Sequence, residues 1–238
     1  KRDPQSNLDV YRERGFLPEG LANYLALLGW SIAEDRDIFS MEEMVEAFDV
    51  TRVSANPARF DLKKAEAINA THLRALPVEE FIARVVPFLA GAGLISEPPT
   101  AEQQRILAAI APLAQERMIV LSDAVGLLRF LFVDEVEIDD AAAAKHLRPD
   151  DAEILDAATT ALQELPDWST PAIEEALKAA LVEGLGRKPR QAFGPVRVAI
   201  SGRTVSPPLY ESIELLGRDR TLARLAVARA VAEQPPAG

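Results

Sequence analysis

Apolar side chains recur at intervals of three and four along nearly the whole chain, as at Leu21, Tyr24, Leu25 and Leu28 and again at Ile173, Ala176, Leu177, Ala180 and Leu181. That spacing places them on one face of an α-helix and predicts an all-α protein. Start and stop signals agree with it. Ser40 followed by Glu43 forms a capping box, Thr170 before Pro171 reads as an N-cap with a first-turn proline, and Gly29, Gly184 and Gly217 stand where helices should end. Strand-like alternation is nearly absent. Residues 131–136 carry the β-branched and aromatic side chains of a short strand, and equally fit the end of a helix that begins near Asp123.

Composition changes mark two boundaries. Glu97, Pro98 and Pro99 make a stiff segment that a helix does not cross, and residues 184–195 gather Gly184, Gly186, Pro189, Gly194 and Pro195 among basic side chains, which reads as a basic loop. The expected division is 1–96, 97–184 and 185–238, with a frayed tail from Glu233 onward.

The 238 residues are 48% hydrophobic and 26% charged, the balance of a folded soluble domain. No apolar run is long enough for a membrane span. Cysteine is absent, so disulfides, thiolate metal sites and cysteine nucleophiles are excluded, and two histidines, His72 and His146, are too few for most metal centres. His72 reads as a core or surface histidine rather than a catalytic base, and His146 as a surface one. The net charge of −11 argues at first against a nucleic-acid partner. It is unevenly spread: basic against acidic residues number 11 to 16 in 1–99, 6 to 17 in 100–184 and 9 to 4 in 185–238. An acidic body with a basic end is compatible with one end meeting phosphate, and equally with an uneven solvated surface.

The opening stretch KRDPQSNLDVYRERGFLPEGLANYLALLGW is more specific. Tyr11, Gly15, Phe16, Leu17, Pro18, Glu19, Leu21, Asn23, Tyr24 and Leu25 resemble the run that follows the second signature loop of bacterial glutamyl-tRNA synthetases, which are class I enzymes. DIFSMEEMVEAF at 37–48, then Phe60, Asp61, Lys64, Asn69 and Arg74, continue the likeness, as does PVRVAISGRTVSPPLYESIELLGRDRTLARL at 195–225. In the middle third it rests mainly on QERMIVLSDAVGLLRFLFVD. The resemblance implies a stem-contact helical region followed by two helical anticodon-binding subdomains, acting on tRNA(Glu) in the cytoplasm as a monomer, with neither DNA nor membrane as partner.

It also implies that Lys1 and Arg2 are the end of an ATP loop whose catalytic domain precedes them. ATP and Mg would serve the whole enzyme, while this stretch alone would hold no cofactor or metal and catalyse nothing. By the same resemblance Arg117 reads the third anticodon base, and Arg197, Ser206 and Leu209 surround the first two: a planar donor fork, a cation, a hydroxyl and an apolar contact. Pro207 and Pro208 depart from the Pro-Gly more usual in the family, which removes a backbone donor beside Leu209. Lys63, Lys64 and Arg74 would touch the tRNA backbone. On the residues alone, Lys63 with Glu66 and Lys64 with Asp61 read equally as local helix pairs worth about 0.2–0.5 kcal/mol each, and the two readings are not exclusive. The alternative function is an acidic helical protein-interaction module.

Overall fold

A computed structural model of the chain describes residues 7–54 and 59–233. Lys1, Arg2 and the tail beyond Glu233 lie outside the described residues. Among those described there are thirteen α-helices: α1 (Leu8–Arg14), α2 (Pro18–Ala26), α3 (Met41–Ala47), α4 (Leu62–Ala75), α5 (Val78–Gly91), α6 (Ala101–Gln115), α7 (Asp123–Phe132), α8 (Asp140–His146), α9 (Ala152–Gln163), α10 (Thr170–Leu177), α11 (Pro189–Ser201), α12 (Leu209–Leu216) and α13 (Arg218–Ala232). No strand accompanies them; an isolated bridge joins Ala33 and Arg36. The strand-like residues 131–136 are the end of α7 and an irregular, bent segment after it. The all-α reading holds.

The chain forms two compact units, one of Lys1–Pro99 with Ala111–Gly126, the other of Thr100–Ile110 with Leu127–Gly238. In the first, Tyr11, Phe16, Tyr24, Ala65, Ile68 and Val120 form the core, closed by Leu21, Leu28 and Phe60. Tyr11 meets Phe16 edge-on at 5.3 Å, and Tyr24 meets Phe60 at 4.9 Å. Such pairs add about 0.5–1.5 kcal/mol beyond the area they bury.

The motif that carries the family resemblance therefore works inward. Gly15 ends α1 at φ 79°, where a Cβ would lie 2.8 Å from that of Leu121. The Leu121 N–H donates to the Gly15 carbonyl at 2.9 Å, so this glycine both turns the chain and lets 121–122 approach it. Asn23 is buried: its Nδ2 donates to the Asp37 carbonyl, and its Oδ1 accepts from the Phe39 N–H. Tyr24 accepts at its hydroxyl from the Asp61 N–H, and Glu19 pairs with Arg84 through two bonds of 3.0 and 2.8 Å. Arg84 holds the Glu19 carboxyl below its ordinary pKa.

In the second unit α9 packs on α13, α10 on α12, and α11 on α13. Leu155, Leu162, Ile173, Leu177, Val196, Ile213 and Leu225 are fully enclosed there. Two local expectations change. The helix expected to start with Thr170 as its cap instead has Thr170 as its first residue, because Glu214 takes both the Thr170 N–H and its hydroxyl. The basic loop expected at 184–195 is mostly helical: a π-helical turn runs over Lys178–Gly184, and α11 begins at Pro189. Proline at that first position lacks only an N–H that the first turn would leave unpaired.

Candidate nucleic-acid interface

Arg117 sits in the turn between α6 and α7, exposed, with Nη1 donating to the Leu113 carbonyl at 2.9 Å. Its backbone is fixed from several directions. Gln115 Nε2 donates to the carbonyls of Leu73 and Leu76 at the end of α4, and Asn69 Nδ2 donates to the Ile119 carbonyl while its Oδ1 accepts from the Leu17 N–H. Asp123 Oδ2 accepts from the N–H groups of Ile119 and Val120, capping α7. An exposed cation is thus presented on a turn clamped by two buried amides. Arg74 lies next to Leu73, so the Gln115 bonds tie the backbone around Arg74 to that around Arg117.

The expected pairs on α4 do not form. Asp61 is the N-cap, accepting from the N–H groups of Lys63 and Lys64, and its carboxylate is used by backbone rather than by the Lys64 ammonium. Lys64 reaches Asp37 at 2.9 Å, and Glu66 pairs with Arg14 at 2.5 Å. Lys63 and Arg74 are exposed. His72 is half-buried, with Nε2 2.8 Å from Asn23 Oδ1, and burial lowers its pKa against the opposing pull of Glu19.

In the second unit the structure brings Arg197 and Ser206 together. Arg197 Nη1 donates to Ser206 Oγ at 2.5 Å and to the Pro207 carbonyl at 3.0 Å. The Ser206 hydroxyl donates in turn to Pro207 O at 2.9 Å, so it holds the guanidinium in place. Leu209, expected as the apolar contact for a base, is 5% exposed and opens α12 from within the core. Burial as a core leucine satisfies its apolar surface, and the exposed apolar side chain of this loop is Val205, at 67%.

Beside Arg197 lies a concavity of about 340 Å³ lined by Lys145, His146, Pro189, Arg190, Phe193, Gly194, Arg197 and Thr204. No carboxylate lines it. Two other concavities of this unit are lined by Asp134 and Glu135 and by Glu174, Glu175 and Glu183. His146, read from sequence as a surface residue, is half-buried here. Its ring fills the space where a side chain at 194 would go: a Cβ on Gly194 would come within 2.5 Å of His146 Nδ1. Burial lowers the His146 pKa, and the neighbouring Lys145 adds to that.

Sequence reasoning missed Lys145, His146, Arg190 and Phe193. Arg190, Phe193, Gly194 and Arg197 stand at i, i+3, i+4 and i+7, one face of a helix, and reading 184–195 as a loop hid that signal. The basic end is also less available than its charge suggests. Arg218 donates to the carbonyls of Leu162, Gln163 and Leu165 and lies 4.8 Å over the Trp168 ring; Arg220 reaches Leu216 and Leu131; Arg229 pairs with Asp156 and Glu233. Lys188, Arg190 and Arg203 remain exposed.

Among the described residues no group of three or more His, Cys, Asp or Glu side chains is arranged to hold a metal ion, and no helix is long and apolar enough to cross a membrane. Lys1 and Arg2, which the resemblance assigns to the ATP loop, lie outside the described residues, so the fit of ATP has no residue here to rest on.

Among the described residues the chain is a helical module that sets arginines on a clamped turn and beside a carboxylate-free cationic hollow. The chain belongs to the anticodon binding domain family, whose model matches residues 80–229. Residues 1–67 match the model of the class I tRNA synthetase (E and Q) catalytic domain. The glutamate–tRNA ligase of Saccharopolyspora erythraea is 63% identical over 226 residues, 94% of this chain and 45% of that protein; that of Mycolicibacterium smegmatis is 59% identical over 96% and 46%. The crystal structure of a glutamate tRNA ligase from Elizabethkingia meningosepticum, in complex with its amino acid, superposes with a TM-score of 0.76 at 28% identity, over 92% of this chain and 42% of that one. The chain thus spans less than half the length of the relatives it matches. The likeness to bacterial glutamyl-tRNA synthetases read from the motifs is shown.

Proposed function

We propose that the chain binds tRNA(Glu), reading the anticodon loop and holding the inner stem, as the C-terminal part of a glutamate–tRNA ligase that charges tRNA with glutamate using ATP, and that by itself it is not catalytic. The observation that carries the reading is Arg197, fixed by Ser206 and Pro207 beside a cationic hollow in a chain of net charge −11. Arg117 and Arg197 present planar forks able to bind base edges through paired hydrogen bonds, and splayed anticodon bases suit that mode. Ser206 acts by orienting Arg197, and Leu209 by supporting the loop from the core. Lys63, Lys64 and Arg74 position the RNA backbone. In this reading 1–96 meets the stem, 97–184 carries Arg117, and 185–238 carries Arg197.

A gel-shift titration with tRNA(Glu) transcript tests it. Binding tighter than to an unrelated tRNA is expected; equal binding, or none at low salt, refutes it. Arg117→Ala should reduce the preference for a glutamate over a glutamine anticodon by about 1–3 kcal/mol. An unchanged preference removes Arg117 from the interface.

A further inference from the structure

The concavity beside Arg197 has two walls from distant parts of the chain. α11 supplies Arg190, Phe193 and Arg197 from one face, and the end of α8 supplies Lys145 and His146, with Thr204 at the rim. Resting on the RNA-binding reading above, we propose that Lys145 and His146, with Arg190 opposite, hold a backbone phosphate of the nucleotide whose base meets Arg197, and that His146 takes up a proton from solvent as the RNA binds.

Several observations converge on this. Fixed cations that serve the fold are consumed by it, as Arg218, Arg220 and Arg229 are. Lys145 and Arg190 are exposed and make no side-chain hydrogen bond or ion pair among the described residues. Placing Lys145 and Arg190 around one hollow without a lining carboxylate is electrostatically unfavourable until an anion arrives. Its volume of about 340 Å³ falls within the range of small-ligand sites, roughly 300–1,000 Å³. Phe193 brings an aromatic ring to the same hollow, held edge-on at 5.7 Å by Tyr210, and single-stranded RNA is commonly held by pairing such rings with cations.

His146 is built into the wall rather than left on the surface. Gly194 lets the imidazole lie against the α11 backbone, where any side chain would displace it. Besides burial, the charges acting on the ring are Lys145, Arg148 and Arg190, which oppose its protonation, and Asp151, which favours it. Arg148 pairs with that same Asp151 carboxylate at 3.1 Å, so the one favourable charge is already shared. A phosphodiester entering the hollow reverses the local sign, and the imidazole gains a proton and an anionic partner together. Binding then tightens as pH falls through the interval in which the free ring is neutral and the RNA-bound ring protonated.

The test is filter binding of tRNA(Glu) transcript to the full chain across salt and between pH 6 and 8. Lys145→Ala and Arg190→Ala are each expected to weaken binding several-fold and to lower the slope of log K against log salt by about 0.7 to 1. Both side chains are exposed, so an unchanged thermal midpoint will show that the fold is intact. His146→Gln is expected to weaken binding, most strongly at the acid end of the range, and so to flatten the pH dependence. If Arg197→Ala weakens binding but Lys145→Ala and Arg190→Ala leave affinity and salt slope untouched, the phosphate wall is refuted and the RNA-binding reading stands. An unaltered pH profile in His146→Gln refutes the proton uptake. Absence of tRNA binding by the parent chain overturns the underlying reading and this proposal with it.

Discussion

Arg224 is a cation buried to 4% exposure with no carboxylate bonded to it. Its Nη1 donates to the Ile200 carbonyl at 2.7 Å; its Nη2 donates to Phe130 at 2.8 Å, Val133 at 2.6 Å and Asp134 at 3.3 Å. Ile200 is in the last turn of α11 and Phe130 in the last turn of α7, where carbonyls have no partner within their own helix. One guanidinium thus closes two helix ends, where a positive charge also meets the negative end of each dipole. Burial brings its pKa down to about 10, so it remains charged at neutral pH. Arg224→Met keeps the apolar stem and deletes every donor. Hydrogen bonds from a charged group contribute about 1.5–3 kcal/mol each. The two buried bonds dominate, since Val133 and Asp134 are better placed to recover water, which gives an expected loss of about 3–5 kcal/mol. The chain has two tryptophans, Trp30 in the first unit and Trp168 in the second. Urea unfolding of Arg224→Met in a Trp30→Phe background therefore reports the second unit through Trp168 alone. A loss below about 1 kcal/mol would mean that these carbonyls are satisfied without Arg224, and the capping argument would be wrong.

Further outcomes follow from each unit. Asn69→Ala strands the Leu17 N–H and the Ile119 carbonyl, and should cost about 2–4 kcal/mol in urea unfolding followed at Trp30; a change under about 0.5 kcal/mol would contradict the clamp. The same variant should blur anticodon preference, because Ile119 lies two residues from Arg117. His72 has a folded-state pKa below its unfolded value near 6.5, so the unfolded state binds the proton first. Stability of the first unit should accordingly be complete above that pH and fall as pH drops from about 6.5 toward the folded-state value; His72→Gln should lessen that slope, and an identical slope would exclude His72 as its source. Gly194→Ala should displace the His146 ring and weaken tRNA binding while leaving α11 helical by circular dichroism; tRNA affinity equal to that of the parent chain would show that the ring's position is immaterial.

What could be read from the sequence was what depends on near neighbours along the chain. The apolar spacing predicted helices, and helices formed. The Ser40–Glu43 box closes with both of its bonds, and Gly217 ends α12 at φ 84°. Family likeness was legible in the motif residues themselves, although Gly15, Asn23 and Tyr24 are held by partners far along the chain, Leu121, Asp37 and Asp61. Where several partners competed for one group, spacing along the chain did not decide which prevailed. Thr170 lost its capping place to a carboxylate 44 residues away, and Asp61 was taken by its own helix's N–H groups, leaving Lys64 to find Asp37.

The sequence by itself determined the helical class, the family and the presence of a basic end. Which cations stay exposed and which are taken up by the fold was decided only by the tertiary structure. A helix needs contacts no more than four residues apart, whereas the fate of a long cationic side chain depends on whichever carbonyls and carboxylates folding brings within 3 Å. For Arg224 the Phe130 carbonyl comes from 94 residues away, and for His146 the accommodating glycine comes from another helix altogether.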